Sequence, residues 1–349
     1  MKQAIVGLLI LLGLRCAISG PLNAQCDPSE SQIGNGGLLG QPMGILGEFD
    51  CIPEGPFLSI CSLMNSTCPP PNGASETHAM CPSHRATAYG GQPICLADGN
   101  TFIDETDVNV PGLGGGLSLV RTWNSLWPAS QSAVQVGLFG PNWRSNFEER
   151  VFVGSDNYIK YARGDGSFWS FGFAGIQGGN VTMTVAAPAN TSATMSVQST
   201  PYWIITFTNG EKKYFNTTSG NLVSIVDRNG NTTQLSYDSV DRLVAVTDPA
   251  SRHLYFGYAS GSSYLVTSVT SDFGVSLSYS YDTQGRLLQV TNPDSSTISF
   301  SYDSNSFISS VTDSQGKILE SHTYDSGGHG LSSSRANGVD ALTVSYGNP

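Results

Sequence analysis

YDTQGRLLQVTNP, residues 281–293, is the stretch that decides how the chain is read. YDSVDRLVAVTDP, residues 237–249, repeats its grammar. Both run Tyr-Asp, two variable residues, a turn residue, Arg-Leu, two variable residues, Val-Thr, an acid or its amide, and Pro. Taking the aromatic head of the phrase as a marker gives Phe215, Tyr237, Tyr258, Tyr281, Tyr302, Tyr324 and Tyr346, separated by 22, 21, 23, 21, 22 and 22 residues by subtraction. Asn216, Asp238, Asp282, Asp303 and Asp325 follow their heads, whereas Ala259 and Gly347 break the pattern. A second landmark lies about half a unit further on, at Asp227, Asp248, Ser271, Asn292 and Asp313. Landmarks that stay in phase over successive units mark a repeat array.

Each unit has length for two short strands and two turns. Asp241-Arg242 and Gly285-Arg286 mark the first turn, where glycine reaches positive φ at low cost. Asp248-Pro249 and Asn292-Pro293 mark the second, where proline lacks a ladder donor and ends the strand. A lone two-stranded hairpin is marginal in water, so the units must bury one face against neighbours. Leu243 and Val246, like Leu287 and Val290, sit three apart, and strict alternation would put them on opposite faces. Either a bulge intervenes or both faces are partly covered. The head tyrosines are expected as half-buried rings and the acids beside them as acceptors for turn amides. The signature residues Phe215, Tyr237, Asp238, Arg242, Leu243, Asp248, Tyr281, Asp282, Gly285, Arg286, Leu287, Tyr302, Asp303, Tyr324 and Asp325 are therefore read as scaffold.

Composition agrees with many short strands. The 349 residues include 40 Gly, only 12% are charged, and the net charge is −11. That pattern predicts an all-β chain, and the acidic balance argues against a nucleic-acid partner, which needs a basic stripe. RGDGS at residues 163–167 and Asn209-Gly210, each between aromatic or β-branched runs, add two hairpin signals.

Ahead of the strands, residues 1–24 carry Lys2, an apolar run and a small residue at Ala24, the pattern of a secretory signal peptide. The run is about half the ~20 residues that span a bilayer, so the mature chain is expected not to cross a membrane and to be secreted or at the cell surface. Residues 25–89 form a Cys-, Pro- and Gly-rich leader. Cys26, Cys51, Cys61, Cys68, Cys81 and Cys95 read as disulfide formers in an exported chain. His78, Cys81 and His84 offer a weaker metal alternative, because the paired short Cys-x-x-Cys spacing is missing.

The other candidate sites favour structural roles. Trp143 and Trp169 could stack on sugar, but core packing is the favoured reading. Glu148-Glu149 and Asp104-Glu105 suggest a glycosidase dyad, but adjacent strand residues point to opposite faces. His253, His322 and His329 lack evident partners in the sequence. Arg163-Gly164-Asp165 reads as a hairpin turn. No cofactor motif is found.

The phrases quoted above resemble the YD repeat of the Rhs family, which is itself similar to the teneurin shell. GNTFIDETDVNVPG (residues 99–112), RTWNS (residues 121–125) and GPNWRSNFEERV (residues 140–151) resemble the β domain that precedes the repeats in Rhs proteins. The resemblance implies an N-terminal β domain over residues 90–213 and a YD-repeat spiral sheet over 214–349. It also implies an incomplete shell, because a closed one takes more units. The expected function is a non-catalytic structural or interaction module, in cell-surface contact or as the front part of a toxin-encapsulating shell. Its partners would be proteins, surface glycans or further YD units. A carbohydrate-binding surface protein is the alternative, and a glycoside hydrolase a distant third.

Overall fold

A computed structural model describes residues 89–90, 94–96, 98–126, 137–154, 158–177, 180–187, 191–197, 202–259 and 263–347. The expected signal peptide, Cys26, Cys51, Cys61, Cys68, Cys81 and the His78/His84 pair lie outside them. The described residues are almost entirely β, with two 3-10 turns at Leu113–Gly115 and Ala336–Gly338.

The strands are β1 (Tyr89–Gly90), β2 (Ile94–Cys95), β3 (Phe102–Val110), β4 (Leu117–Asn124), β5 (Trp143–Ser145), β6 (Arg150–Val153), β7 (Ile159–Ala162) and β8 (Phe168–Gln177). They continue as β9 (Asn180–Ala187), β10 (Ala193–Val197), β11 (Tyr202–Phe207), β12 (Lys212–Asn216), β13 (Leu222–Val226), β14 (Thr232–Tyr237), β15 (Leu243–Thr247) and β16 (His253–Tyr258). The last are β17 (Val266–Ser271), β18 (Ser276–Tyr281), β19 (Leu287–Thr291), β20 (Thr297–Tyr302), β21 (Ile308–Asp313), β22 (Ile318–Tyr324), β23 (Gly330–Arg335) and β24 (Leu342–Thr343).

Two compact units are formed. The first contains Arg150–Tyr161 and Trp169–Asn229. In it β8 to β13 pair antiparallel, each with the next along the chain. Its core is an aromatic cluster: the Tyr161 ring meets Trp169 at 5.7 Å and Phe215 at 5.6 Å, and Trp169 meets Phe207 at 5.8 Å, all edge to face. Such pairs favour edge-on contact because the ring edge is positive and its face negative.

The second unit contains the described residues of His78–Glu149, Ala162–Phe168 and Gly230–Pro349. β3, β4 and β5 make a three-stranded antiparallel sheet. From β14 onward a meander runs to β24, every strand paired with its neighbours in sequence.

The Leu/Val spacing resolves here as a bulge. On β14 and β15 the register runs Ser236 opposite Ala245 and then Tyr237 opposite Leu243, so Val244 is the extra residue. Leu288 plays the same part between Leu287 and Gln289. The extra residue returns Leu243 and Val246, and Leu287 and Val290, to one face, where all four are buried. Leu288, thrown to the other face, is exposed. The same shift recurs before Tyr258, Tyr302 and Tyr324.

The buried face of the meander is covered by the N-terminal segment of the same unit. Phe139 packs on Tyr279 at 4.9 Å, Trp143 on Phe300 at 5.2 Å, Trp123 on Tyr324 at 6.1 Å and Phe147 on Phe256 at 6.5 Å. Backbone contact adds to this, since the Val266 N–H donates to the Leu138 carbonyl at 2.8 Å. Gly140 (φ 98°) lies so close to the Gly285 turn that a Cβ would stand 2.5 Å from the Gly285 carbonyl oxygen. Only glycine fits both that backbone conformation and that approach.

Candidate functional site

The Tyr-Asp phrase is a lock that closes each turn and grips the previous unit. Asp282 Oδ1 accepts the backbone N–H of Gln284 and of Arg286, each at 2.9 Å, and Oδ2 accepts Arg286 Nε at 2.6 Å. Asp238 does the same for Val240 and Arg242. Asp303 caps Asn305 and Phe307, and Asp325 caps Gly327 and His329. Asn216 keeps the motif with an amide, accepting from Thr218 and Ser219. The second landmark uses the same chemistry at Asp248, with Ala250 and Arg252 as donors, and at Asp313, with Gln315 and Lys317.

The phenols reach backward. Tyr258 donates to the Leu243 carbonyl, Tyr281 to Val266, Tyr302 to Leu287, Tyr324 to Ile308 and Tyr346 to Gly330, at 2.6–2.8 Å. The guanidiniums then lean on the next ring along the chain, Arg242 over Tyr258 at 4.8 Å and Arg286 over Tyr302 at 4.7 Å. A cation over a ring face is favourable. Asp, Arg and the following Tyr thus form a chain from one unit to the next.

Electrostatics follow from these contacts. For Asp238 the Arg242 backbone N–H leads in holding the carboxyl below its ordinary range, against some desolvation. For Asp282 burial pushes the carboxyl up, but the Arg286 amide and guanidinium outweigh it and the net shift is downward. Burial drives the Tyr302 phenol up to about 12, and Tyr281 is raised further, also by burial. These phenols stay protonated and donating at any physiological pH. Tyr281→Phe leaves the Val266 carbonyl without its donor and is expected to cost about 0.5–1.5 kcal/mol, read by chemical denaturation.

A second cluster is nearly inaccessible to solvent. β3 bulges between Thr106 and Val108, where Thr106 pairs with Val120 and Val108 with Leu119. Asp107 at that bulge takes Arg121 Nη2 at 2.7 Å and Arg121 Nε at 2.5 Å, and the Tyr279 hydroxyl at 2.7 Å. The Arg121 guanidinium lies over Trp143 at 4.7 Å, Phe139 at 5.4 Å and Tyr279 at 5.6 Å. Desolvation works against the charge on Arg121, and Asp107 more than restores it. Arg121 stands in RTWNS, but nothing in the sequence pairs it with Asp107, because bulge placement and the Tyr279 contact are tertiary facts.

Glu105 borders this cluster. Burial raises its carboxyl to about 7, opposed by Arg121 and helped by Asp107, Glu320 and Asp104. A raised carboxyl favours the protonated folded form, so its contribution is full below about pH 4.5 and is lost as pH rises through about 7. Glu105→Gln is therefore expected to raise the melting temperature at pH 8, by on the order of 1 kcal/mol in stability, with no gain at pH 4.

The remaining sequence candidates have structural roles. Trp143 is 1% and Trp169 6% exposed, so the favoured core reading holds and the sugar-stacking candidacy is corrected: neither ring offers a free face. The alternating strand pattern put them where core packing claims aromatic area. Glu148 uses both oxygens on backbone amides, Leu138 at 2.6 Å and Ser145 at 2.7 Å. The RGD tripeptide is a turn, with the Gly166 N–H on the Arg163 carbonyl and Asp165 accepting from the Ser167 backbone N–H. The three histidines do have partners: His253 with Asp272 and His329 with Asp325 at 2.8 Å, and His322 with Glu320 at 3.4 Å. No group of three or more metal-ligating side chains occurs among the described residues. No described helix is long and apolar enough to cross a membrane.

Fold and lock together define a β-hairpin repeat scaffold whose buried face is packed by an N-terminal β segment. The RHS Repeat family description matches residues 217–253, 265–297 and 281–318, and a Domain of unknown function (DUF6531) matches residues 91–171. The chain thus carries RHS repeats within residues 217–318 behind a DUF6531 region, the order of the Rhs, or YD-repeat, proteins it resembles. Among curated proteins it is similar to the tRNA nuclease WapA of Bacillus subtilis (strain 168) and the tRNA3(Ser)-specific nuclease WapA of Bacillus spizizenii. Each is 26% identical over 147 residues, 42% of this chain and 6% of the relative. Among solved structures it is similar to the TcdB2-TccC3-Cdc42 complex, at 12% identity and a TM-score of 0.29 over 71% of this chain and 14% of that one. The Photorhabdus luminescens Tc holotoxin pore gives 12% and 0.30 over 67% and 14%. The chain thus spans a small part of the relatives it matches.

Proposed function

We propose that the protein is an exported, non-catalytic scaffold of the Rhs type. Its repeat array serves cell-surface contact or forms the front part of a toxin-encapsulating shell. The observation that carries this is the recurring lock: Tyr, Asp and Arg are spent on carbonyls, turn amides and the next ring, which leaves the assembled sheet as the functional surface. The domain limits expected from the sequence belong to this reading, as does the spiral, incomplete shell. An oxidising compartment and a disulfide-stapled leader belong to the same reading, in which Cys95 is disulfide-bonded. The nuclease activity in the names of the WapA relatives is not carried over, because the match covers so little of them.

Secretion of the full chain from its own host, with N-terminal sequencing, tests export. A mature chain starting at Gln25 is expected, and a chain retaining residues 1–24 in the cytoplasm counts against it. Labelled mature protein should bind whole cells saturably or assemble with further YD-repeat chains. A monomer that does neither overturns the interaction role.

A further inference from the structure

The residue four places after each head acid is where the lock takes its cation, and it differs from unit to unit. Asp238 and Asp282 hold Arg242 and Arg286, whose guanidiniums lie over the next head rings, Tyr258 and Tyr302. After Asp303 the place is taken by Phe307, which gives the acid its backbone N–H but no charge and meets the next head, Tyr324, at 5.1 Å. After Asp325 it is His329. Its backbone N–H donates to Asp325 Oδ1 at 3.0 Å, and its Nδ1 meets Asp325 Oδ2 at 2.8 Å. Its ring lies 5.5 Å from that of Tyr346, the next head. His329 therefore keeps every contact of the lock arginine. Of these four side chains it alone is of a type that changes charge between about pH 5 and 8.

This lock also stands where the array meets the segment ahead of β3. Asn100 bridges to His329, and the Gly330 N–H donates to the Gly99 carbonyl at 2.9 Å. The Tyr346 hydroxyl donates to the Gly330 carbonyl at 2.7 Å. A Cβ on Gly99 would stand 2.9 Å from both His329 Cβ and the Tyr346 hydroxyl, so the fit is close. The ionisable groups gathered here are Asp325 on the same turn, Asp98 on the incoming segment and the Tyr346 phenol. Burial first, then the two carboxylates, raises that phenol. Burial pushes the Asp325 carboxyl up, but the His329 ring and backbone N–H outweigh it and the net shift is downward.

We propose that Asp325, His329 and Tyr346 form a proton-operated version of the lock. With the imidazolium charged it matches the locks of Arg242 and Arg286. With the proton gone it falls towards the uncharged form at Phe307, which loosens this turn and its contact with Gly99 and Asn100. The neutral ring still donates through Nδ1, but the bond loses its charge assistance, which roughly doubles such a bond. The positive charge beside the Tyr346 ring is lost as well. The pair contributes while the carboxylate and the imidazolium are both charged. Its contribution fades as pH rises through the usual imidazole range near about 6.5, and again in acid once Asp325 takes a proton. The device rests on the lock geometry and is independent of export and of shell assembly.

The test is amide hydrogen exchange on the folded full chain at about pH 5.5 and about pH 8, with rates corrected for intrinsic exchange. Protection at Gly327, His329 and Gly330 is expected to be about two- to fivefold lower at the higher pH, the range of an exposed ion pair. His329→Arg should hold the pH 5.5 protection at both pH values, and His329→Phe should be low at both. Each variant copies a lock already present in the array. Glu105 titrates over the same range but is common to all three proteins, and the Asp282 turn, locked by arginine, is the internal reference. A parent and a His329→Arg protein that lose protection alike, or a His329→Phe protein that keeps the parent's pH dependence, overturn the proposal. In the parent chain alone, the Asp325 carboxyl carbon resonance should move with the same midpoint as the His329 ring in an NMR titration. Separate midpoints overturn it too.

Discussion

Replacing Arg121 with methionine is expected to destabilise the protein by about 3–5 kcal/mol, the cost of leaving one half of a buried ion pair without its partner. Both side chains are nearly inaccessible, at 1% for Arg121 and 5% for Asp107. Methionine fills much of the same volume, so the loss would reflect the stranded Asp107 carboxylate more than a cavity. The Tyr279 hydroxyl still donates to Asp107, but one neutral donor does not replace two charged ones. The control is the double variant Arg121→Met with Asp107→Leu, which removes both charges and is expected to recover most of the loss. Arg121→Lys should recover little, because an ammonium supplies neither the bidentate fork nor the planar stack on Trp143. Urea denaturation of all four proteins reads the result. A single variant within about 1 kcal/mol of the parent, the range of a surface pair, would show that the cluster is not holding the N-terminal segment in place.

The second large effect is at Leu287. Its side chain is 0% exposed, it adjoins the bulged Leu288, and its carbonyl accepts the Tyr302 phenol. Truncation to alanine should cost about 2–5 kcal/mol, from lost transfer energy and the cavity left behind. Leu288, the bulged neighbour, is 38% exposed, and Leu288→Ala should stay within about 0.5 kcal/mol of the parent. The contrast between these adjacent leucines tests the register directly. A one-residue slip would exchange their roles.

Those leucines also show where the sequence was informative. The phase of the repeat, the all-β class, the half-buried head tyrosines and the capping acids could be read from spacing and turn chemistry, because each depends on residues within one unit. Leu243 and Val246 left a choice between a bulge and a two-sided cover, since a single extra residue changes no composition and only shifts pairing. Tyr281 showed that it would be a packed ring. It could not show that its hydroxyl is held by Val266, which belongs to the preceding unit. Arg121, Asp107 and Tyr279 come together from three separate segments, and no local pattern encodes that meeting. Trp143 was ambiguous for the same reason: an aromatic in a strand has an inner and an outer option, and only packing against Phe300 decides between them.

The central claim is that Tyr-Asp is a structural lock passed from unit to unit. Amide hydrogen exchange on the Tyr281→Phe/Asp282→Ala variant tests it most directly. The lock predicts faster exchange at the amides of Gln284 and Arg286, which lose their Asp282 acceptor. It also predicts faster exchange in β17 of the preceding unit, where Val266 loses its phenol, while β14 stays protected. Exchange unchanged at both places, with a lost binding activity instead, would contradict the account and return the pair to chemistry.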